Sequence, residues 1–208
     1  MSSSSSANHD AVSTGDQSSA PPSPDQLTLL LKMEGSVELM TGERVHVRPI
    51  RPDDTARLQA FHTHLSSDSI TFRFFRYMPL LSNTDAERFT HVDYDTRMAL
   101  VATEGHGEDE RILSVVRYDR IGPDTAEVAF VVEDRWQGHG VATALLHRLA
   151  FYARQHGITH LLAITLGSNA KMLEVLRNAG YPLRASYVNG EIEATLDIST
   201  PASSEPAL

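Results

Sequence analysis

The feature that most constrains this chain is a strand, a glycine-rich turn and a helix in immediate succession. Glu127 to Val132 is a strand-like apolar run, and Gln137-Gly138-His139-Gly140-Val141-Ala142 follows it. A helical stretch from about His139 to His156 carries Val141, Leu145, Leu149, Tyr152 and Ala153 on one stripe, and Gly157 ends it. His160 to Leu166 then reads as a buried strand. A strand, a crossover helix and a second strand make a βαβ unit, which requires a parallel pair. The first turn of a helix exposes unpaired N–H groups and a partial positive charge, and glycines let backbone approach an anion closely. The loop is therefore suited to a phosphate. It lacks the Gly-Lys-Ser/Thr of a nucleotide P-loop, and no acidic residue completes a dinucleotide fingerprint. By itself the hexapeptide fits a plain tight connection equally well.

Elsewhere the patterns alternate with period two. Val37 to Met40 and Arg44 to Ile50 form a hairpin turning at Thr41-Gly42. Asp53-Asp54 opens a helix to about Leu65, a short helical piece covers Ser67 to Phe75, and another helix starts after Asn83. Met98 to Ala102 and Ile112 to Tyr118 are strands, Asn169 to Ala179 is a helix closed by Gly180, and Arg184 to Ile198 is a hairpin turning at Asn189-Gly190. This order predicts an α/β (α+β) domain: a mixed, mostly antiparallel twisted sheet flanked by helices, with one parallel βαβ unit. The Ser-, Ala- and Pro-rich residues 1–26 are expected to be a disordered tail, 27–198 the folded domain and 199–208 a second disordered tail.

Composition narrows the function classes. The 208 residues contain no cysteine, so disulfides, thiolate metal sites and a cysteine nucleophile are excluded, and a cytoplasmic location is the expectation. A net charge of −9 argues against broad nucleic-acid binding and would suit a cationic acceptor. No apolar run approaches the ~20 residues of a membrane span. Among the ten histidines, His62 and His64 point to different helix faces and His156 and His160 straddle a helix end, so no metal site is expected.

The hexapeptide matches Arg/Gln-x-x-Gly-x-Gly/Ala, and Asn169 opens a helix ending in Gly180-Tyr181. With the Arg48-Pro49-Ile50-Arg51-Pro52-Asp53-Asp54 opening, these features resemble the GNAT acetyltransferase superfamily. The strings Arg73-Phe74-Phe75, Phe89 to Tyr94, Met98 to Ala102 and Ala126 to Val132 are most similar to its bacterial Pat-type protein lysine acetyltransferases. The resemblance covers about residues 37–198. It implies acetyl-CoA as donor, held by Phe130, Val131 and Val132 on the strand, by Gln137, Gly138, His139, Gly140, Val141 and Ala142 on the pyrophosphate, and by Asn169 and Met172 near the pantetheine. It also implies Glu127 as general base, in a partly apolar cleft. Only about one free lysine in 2,500 is neutral at pH 7, so an amine acceptor needs a proton taken from it.

Two departures stand out. Leu176 occupies the position, seven residues after Asn169, where many GNATs carry a tyrosine acid. Pat-type enzymes often carry a further regulatory domain, for which this sequence offers only the short tail. The acceptor is expected to be a protein lysine. The alternatives are a small-molecule amine, or a CoA-binding regulatory module without turnover. A homodimer is left open. Trp136 is expected to buttress the loop, Phe74 and Phe75 to lie in the core, and His91 and Asp93 to cap a helix end, with an acceptor-lining role as the alternative for each of the last four.

Overall fold

The computed structural model describes residues 22–203 and 205. An eight-stranded sheet runs in the order β1-β2-β3-β4-β5-β6-β8-β7. The strands are β1 (Gly35–Glu38), β2 (Arg44–Pro49), β3 (Arg97–Glu104), β4 (Arg111–Arg120), β5 (Thr125–Val132), β6 (His160–Leu166), β7 (Leu183–Val188) and β8 (Glu191–Asp197). All neighbours are antiparallel except β5 and β6. The last hairpin inserts β8 beside β6 and leaves β7 at the edge.

Strand alternation divides the hydrophobic residues between two faces. Met98, Leu100, Val116, Val128 and Phe130 turn to one face, where they meet Leu145, Leu149 and Tyr152 of α5 (Val141–Gln155). Ala99, Val101, Val115 and Val131 turn to the other, against Leu58, Phe61, Ile70 and Ala86. Those residues belong to α2 (Thr55–Thr63), α3 (Ser67–Phe74) and α4 (Asn83–Thr90). The remaining helices are α1 (Pro24–Met33) and α6 (Ala170–Asn178).

A buried ion cluster ties the first helical region to the sheet. Arg48, 2% exposed, donates two 2.7 Å bonds to the fully buried Asp54, and its Nε donates to Glu110 at 2.9 Å. Burial works against the charge on Arg48, but the two carboxylates raise its pKa further. Removing one partner of such a pair strands the others in a low dielectric.

Ordered structure extends beyond residues 27–198 at both ends of the described chain. Helix α1 begins at Pro24, inside the stretch read as disordered. Ser23 caps it, Pro24 takes the first turn, and Met33 is fully buried. Gln26 also donates its side-chain amide to the Tyr94 carbonyl at 2.9 Å. At the other end Ala202 is buried, and Glu205 pairs with Arg154 and accepts a 2.7 Å bond from the Tyr181 hydroxyl. Residues 1–21, 204 and 206–208 lie outside the described residues. Among those described, no helix is long and apolar enough to cross a membrane.

Candidate acetyl-donor site

The parallel pairing of β5 and β6 is short. Thr125, Ala126 and Glu127 pair with His160, Leu161 and Leu162, and then the strands part. On its other side β5 stays paired with β4 as far as Val132. From Val128 onward, one edge of β5 therefore has backbone groups free of a β6 partner. That edge can take an extended amide-bearing chain as a neighbouring strand would.

The turn after β5 meets the helix without a side-chain cap. Gly138 and Gly140 adopt φ of 81° and 87°, in the left-handed region that favours glycine. Gly140 is the N-cap of α5 and supplies no side-chain oxygen, so the N–H groups of the first turn point outward unclaimed. In α3, α4 and α6 a Ser or Asn side chain takes that place. The side chain of Gln137 fixes the turn. It donates to the Val132 carbonyl at 3.0 Å and to Ser69 Oγ at 3.1 Å, and accepts from Lys171 Nζ at 2.7 Å. Asp134 completes the frame by accepting from Ser66 and Ser69 hydroxyls at 2.7 and 3.0 Å. Burial pushes the Asp134 carboxyl up, but the hydrogen bonds from Ser66 and Ser69 outweigh it and hold the carboxyl below its ordinary range.

These elements enclose a cleft of about 670 Å³. Phe130, Val131, Val132, Gln137, Gly138, Gly140, Val141, Ala142, Asn169 and Met172 all line it. The free strand edge lies on one side and the uncapped helix end on the other, which fits a donor with an amide-containing arm and a pyrophosphate. His139 does not join them. Its ring turns away to lie 3.4 Å from Glu43 and edge-on to Trp136. Trp136 packs against the core beside the loop, as a buttress does. Asn169 caps α6 through Oδ1 and donates Nδ2 to Thr165 Oγ1 at 3.1 Å, so its side-chain amide is held in place by the fold. Leu176 is fully buried, and no phenol reaches the cleft from that position.

Glu127 stands apart from the cleft wall. It is the last β5 residue paired with β6, at the vertex where the strands part, and it is exposed. Directly across on β4 is Asp119. The surroundings are charged rather than partly apolar, which corrects the expectation for this residue. Phe75 also departs from the core reading. It closes α3 at φ 56° and is 42% exposed, while Phe74 packs against Phe89 with ring centres 6.1 Å apart. His91 binds the Glu87 carbonyl at the end of α4, and Asp93 accepts from Thr96 and two backbone amides in a turn, so both serve as local caps.

Several residues of the cleft lie outside the donor motif. Met40, Ser66, Ser69, Phe72, Arg73 and Lys171 line it from three separate segments. Only Lys171, two residues after Asn169, lies where the donor pattern draws attention.

Comparison with known proteins agrees with this geometry. Residues 44–182 match the acetyltransferase (GNAT) domain family. The crystal structure of the GNAT domain of PAT from S. lividans superposes with a TM-score of 0.74 at 41% identity, covering 80% of this chain and 97% of that one. The acetyltransferase Pat of Mycolicibacterium smegmatis is 30% identical over 146 residues, 69% of this chain but 43% of its own length. A cAMP-binding acyltransferase from Mycobacterium smegmatis has a TM-score of 0.59 at 25% identity, covering 87% of this chain and 52% of that one. The chain thus spans about half the length of these two longer relatives. The chain belongs to the GNAT acetyltransferase family, and it is an N-acetyltransferase that uses acetyl-CoA.

Proposed function

We propose that the chain acetylates the side-chain amine of protein lysines by direct transfer from acetyl-CoA, with Glu127 as general base. The observation that carries this is the V-shaped parting of β5 and β6 immediately after Glu127. It offers a donor arm one strand edge, and it places a single carboxylate of β5 at the apex of the opening. Likeness to proteins named Pat supports the lysine acceptor.

The geometry supports the following residue roles in this reading. The backbone of Phe130 to Val132 hydrogen-bonds the donor arm. The first turn of α5, with Gly138 and Gly140, holds the pyrophosphate, and Gln137 keeps the turn in shape. Met172 and Asn169 close the far wall. A strand rises about 3.3 Å per residue, so Glu127 lies roughly 10 Å back from Phe130. At that separation the lysine proton passes to Glu127 through water. The thiolate takes its proton from water or from the ammonium formed in the reaction, since Leu176 offers none.

A thiol-release assay with acetyl-CoA tests this, run against a lysine-peptide panel and a small-amine panel with product masses recorded. Acetylated lysine peptides are the expected product. Turnover confined to small amines would overturn the lysine reading, and tight CoA binding without any turnover would point to a regulatory module.

A further inference from the structure

The chain is acidic as a whole, with a net charge of −9, yet the sheet face that carries Glu127 is crowded with guanidinium groups. Arg117, 5% exposed, donates Nε to Asp119 Oδ2 at 3.1 Å, and Arg97 donates to the other oxygen of Asp119 at 3.2 Å. One carboxylate therefore already serves two arginines. Arg88 has Asp85 at 3.9 Å. Arg88 and Arg117 both stack over the Phe89 ring at 5.0 Å, and Arg73 of α3 stacks over Phe74 at the same distance.

Arg73 differs from the other three. Among the described residues its guanidinium makes no hydrogen bond or ion pair, and it feels Arg117, Asp119, Glu127 and Arg88 only at a distance. It borders the donor cleft on one side and the small cavity beneath α2, α3 and α4 on the other. Burial lowers its pKa to about 10, with the positive charge of Arg117 adding to the effect, so it remains charged at neutral pH. Arg73 is half-buried and faces the cleft, so its guanidinium is open to an anionic ligand there while no carboxylate among the described residues pairs with it. A guanidinium presents a planar fork that matches a carboxylate in two parallel hydrogen bonds. Its stack on Phe74 holds that fork at the junction between the donor cleft and the face of Glu127.

We propose that Arg73 receives a carboxylate of the acceptor, so that the preferred amine is one with a carboxylate close by. This rests on the reading that the amine meets the donor on the Glu127 side. Two sources supply the chemistry: an Asp or Glu side chain beside the target lysine of a polypeptide, or the carboxylate of a free amino acid. Four guanidinium groups stand here against the carboxylates of Asp85, Asp119 and Glu127, so this face lacks the acidic excess of the whole chain and favours polyamines less than the overall charge alone would.

The test uses matched acceptors. One arm compares a lysine peptide flanked by Glu with the same peptide flanked by Gln. The second compares an amino acid with its amide, and spermidine is the cationic control. In at least one arm kcat/KM for the acid exceeds that for the amide by about 10- to 100-fold, the range of a hydrogen-bonded charge pair. Arg73→Gln brings the acid-to-amide ratio toward one through KM, and Arg73→Lys keeps part of it. Ratios near one in both arms of the unaltered protein, a preference for spermidine, or a ratio that survives Arg73→Gln each overturn the proposal. Binding of the labelled Glu and Gln peptides to the CoA-saturated protein reads the same preference without turnover, and equal affinities there overturn it too. Glu127→Gln separates the two readings. If it leaves turnover intact while the ratio still depends on Arg73, the base assignment fails and the carboxylate site stands.

Discussion

Replacing Gly140 by alanine probes the donor site at its most constrained residue. Gly140 is the N-cap of α5 at φ 87° and ψ 2°. An added Cβ would lie 3.2 Å from Met40 Cγ and 3.4 Å from its sulfur. Met40 is 86% exposed, so its side chain swings aside at little cost. The backbone has no such escape. Holding an L-residue in the left-handed region costs about 1–2 kcal/mol. For a chain of this size that lowers Tm by about 2–8 °C. If alanine relaxes toward negative φ, the first N–H groups of α5 turn away from the anion. Loss of one charge-assisted hydrogen bond is worth about 1.5–3 kcal/mol, or roughly a 10- to 150-fold rise in Kd for CoA. Gly138→Ala separates backbone strain from the Met40 contact, because at φ 81° it carries similar strain with open space around its Cβ. Calorimetric titration with CoA and thermal unfolding measure both quantities. Gly140→Ala binding CoA within about twofold of the unaltered protein, with Tm unchanged, would refute the reasoning.

Two further changes address stability. Asp54→Ala leaves Arg48 buried with only Glu110, and should destabilise the fold by about 3–5 kcal/mol in urea unfolding; a loss under about 1 kcal/mol would show that water reaches the cluster. Glu205 titrates in a way that depends on its latch: burial pushes its carboxyl up, but hydrogen bonds from Arg154 and Tyr181 bring it below the ordinary glutamate value. A lowered folded pKa gives stability that is present above the unfolded value of about 4.3 and is lost as pH falls through the folded value. Glu205→Gln should therefore be the less stable protein at pH 7, and the gap should close in the acid range; a gap independent of pH would mean that the charge of Glu205 does not matter.

The parts of this molecule written in local pattern could be read from the sequence. The β5–turn–α5–β6 unit carries alternation, a positive-φ glycine pair and a helical stripe within some forty residues, and the structure reproduces it with the strand limits His160–Leu166 unchanged. Helix α1 was also signalled locally, by Ser23 as cap, Pro24 and the acidic Asp25 in the first turn, but Pro- and Ser-rich composition outweighed the cap. Glu205 had no local signal at all, since its order comes from Arg154 and Tyr181, 51 and 24 residues away in the chain. The same holds for the Ser66–Ser69–Asp134 frame, whose partners meet only when α3 folds across the end of β5, and for the place of Arg73 beside the cleft. The position of Glu127 in the sheet was readable from period two. Its charged surroundings were not, because they depend on the register that sets Asp119 opposite it.

Steady-state kinetics of Glu127→Gln, paired with a CoA titration of the same protein, tests the central claim most directly. With Glu127 as general base, kcat falls by about 10²- to 10⁴-fold, the usual contribution of such a group, and the Kd for CoA is unchanged. Near-normal turnover, or a loss that follows weakened CoA binding, would contradict it.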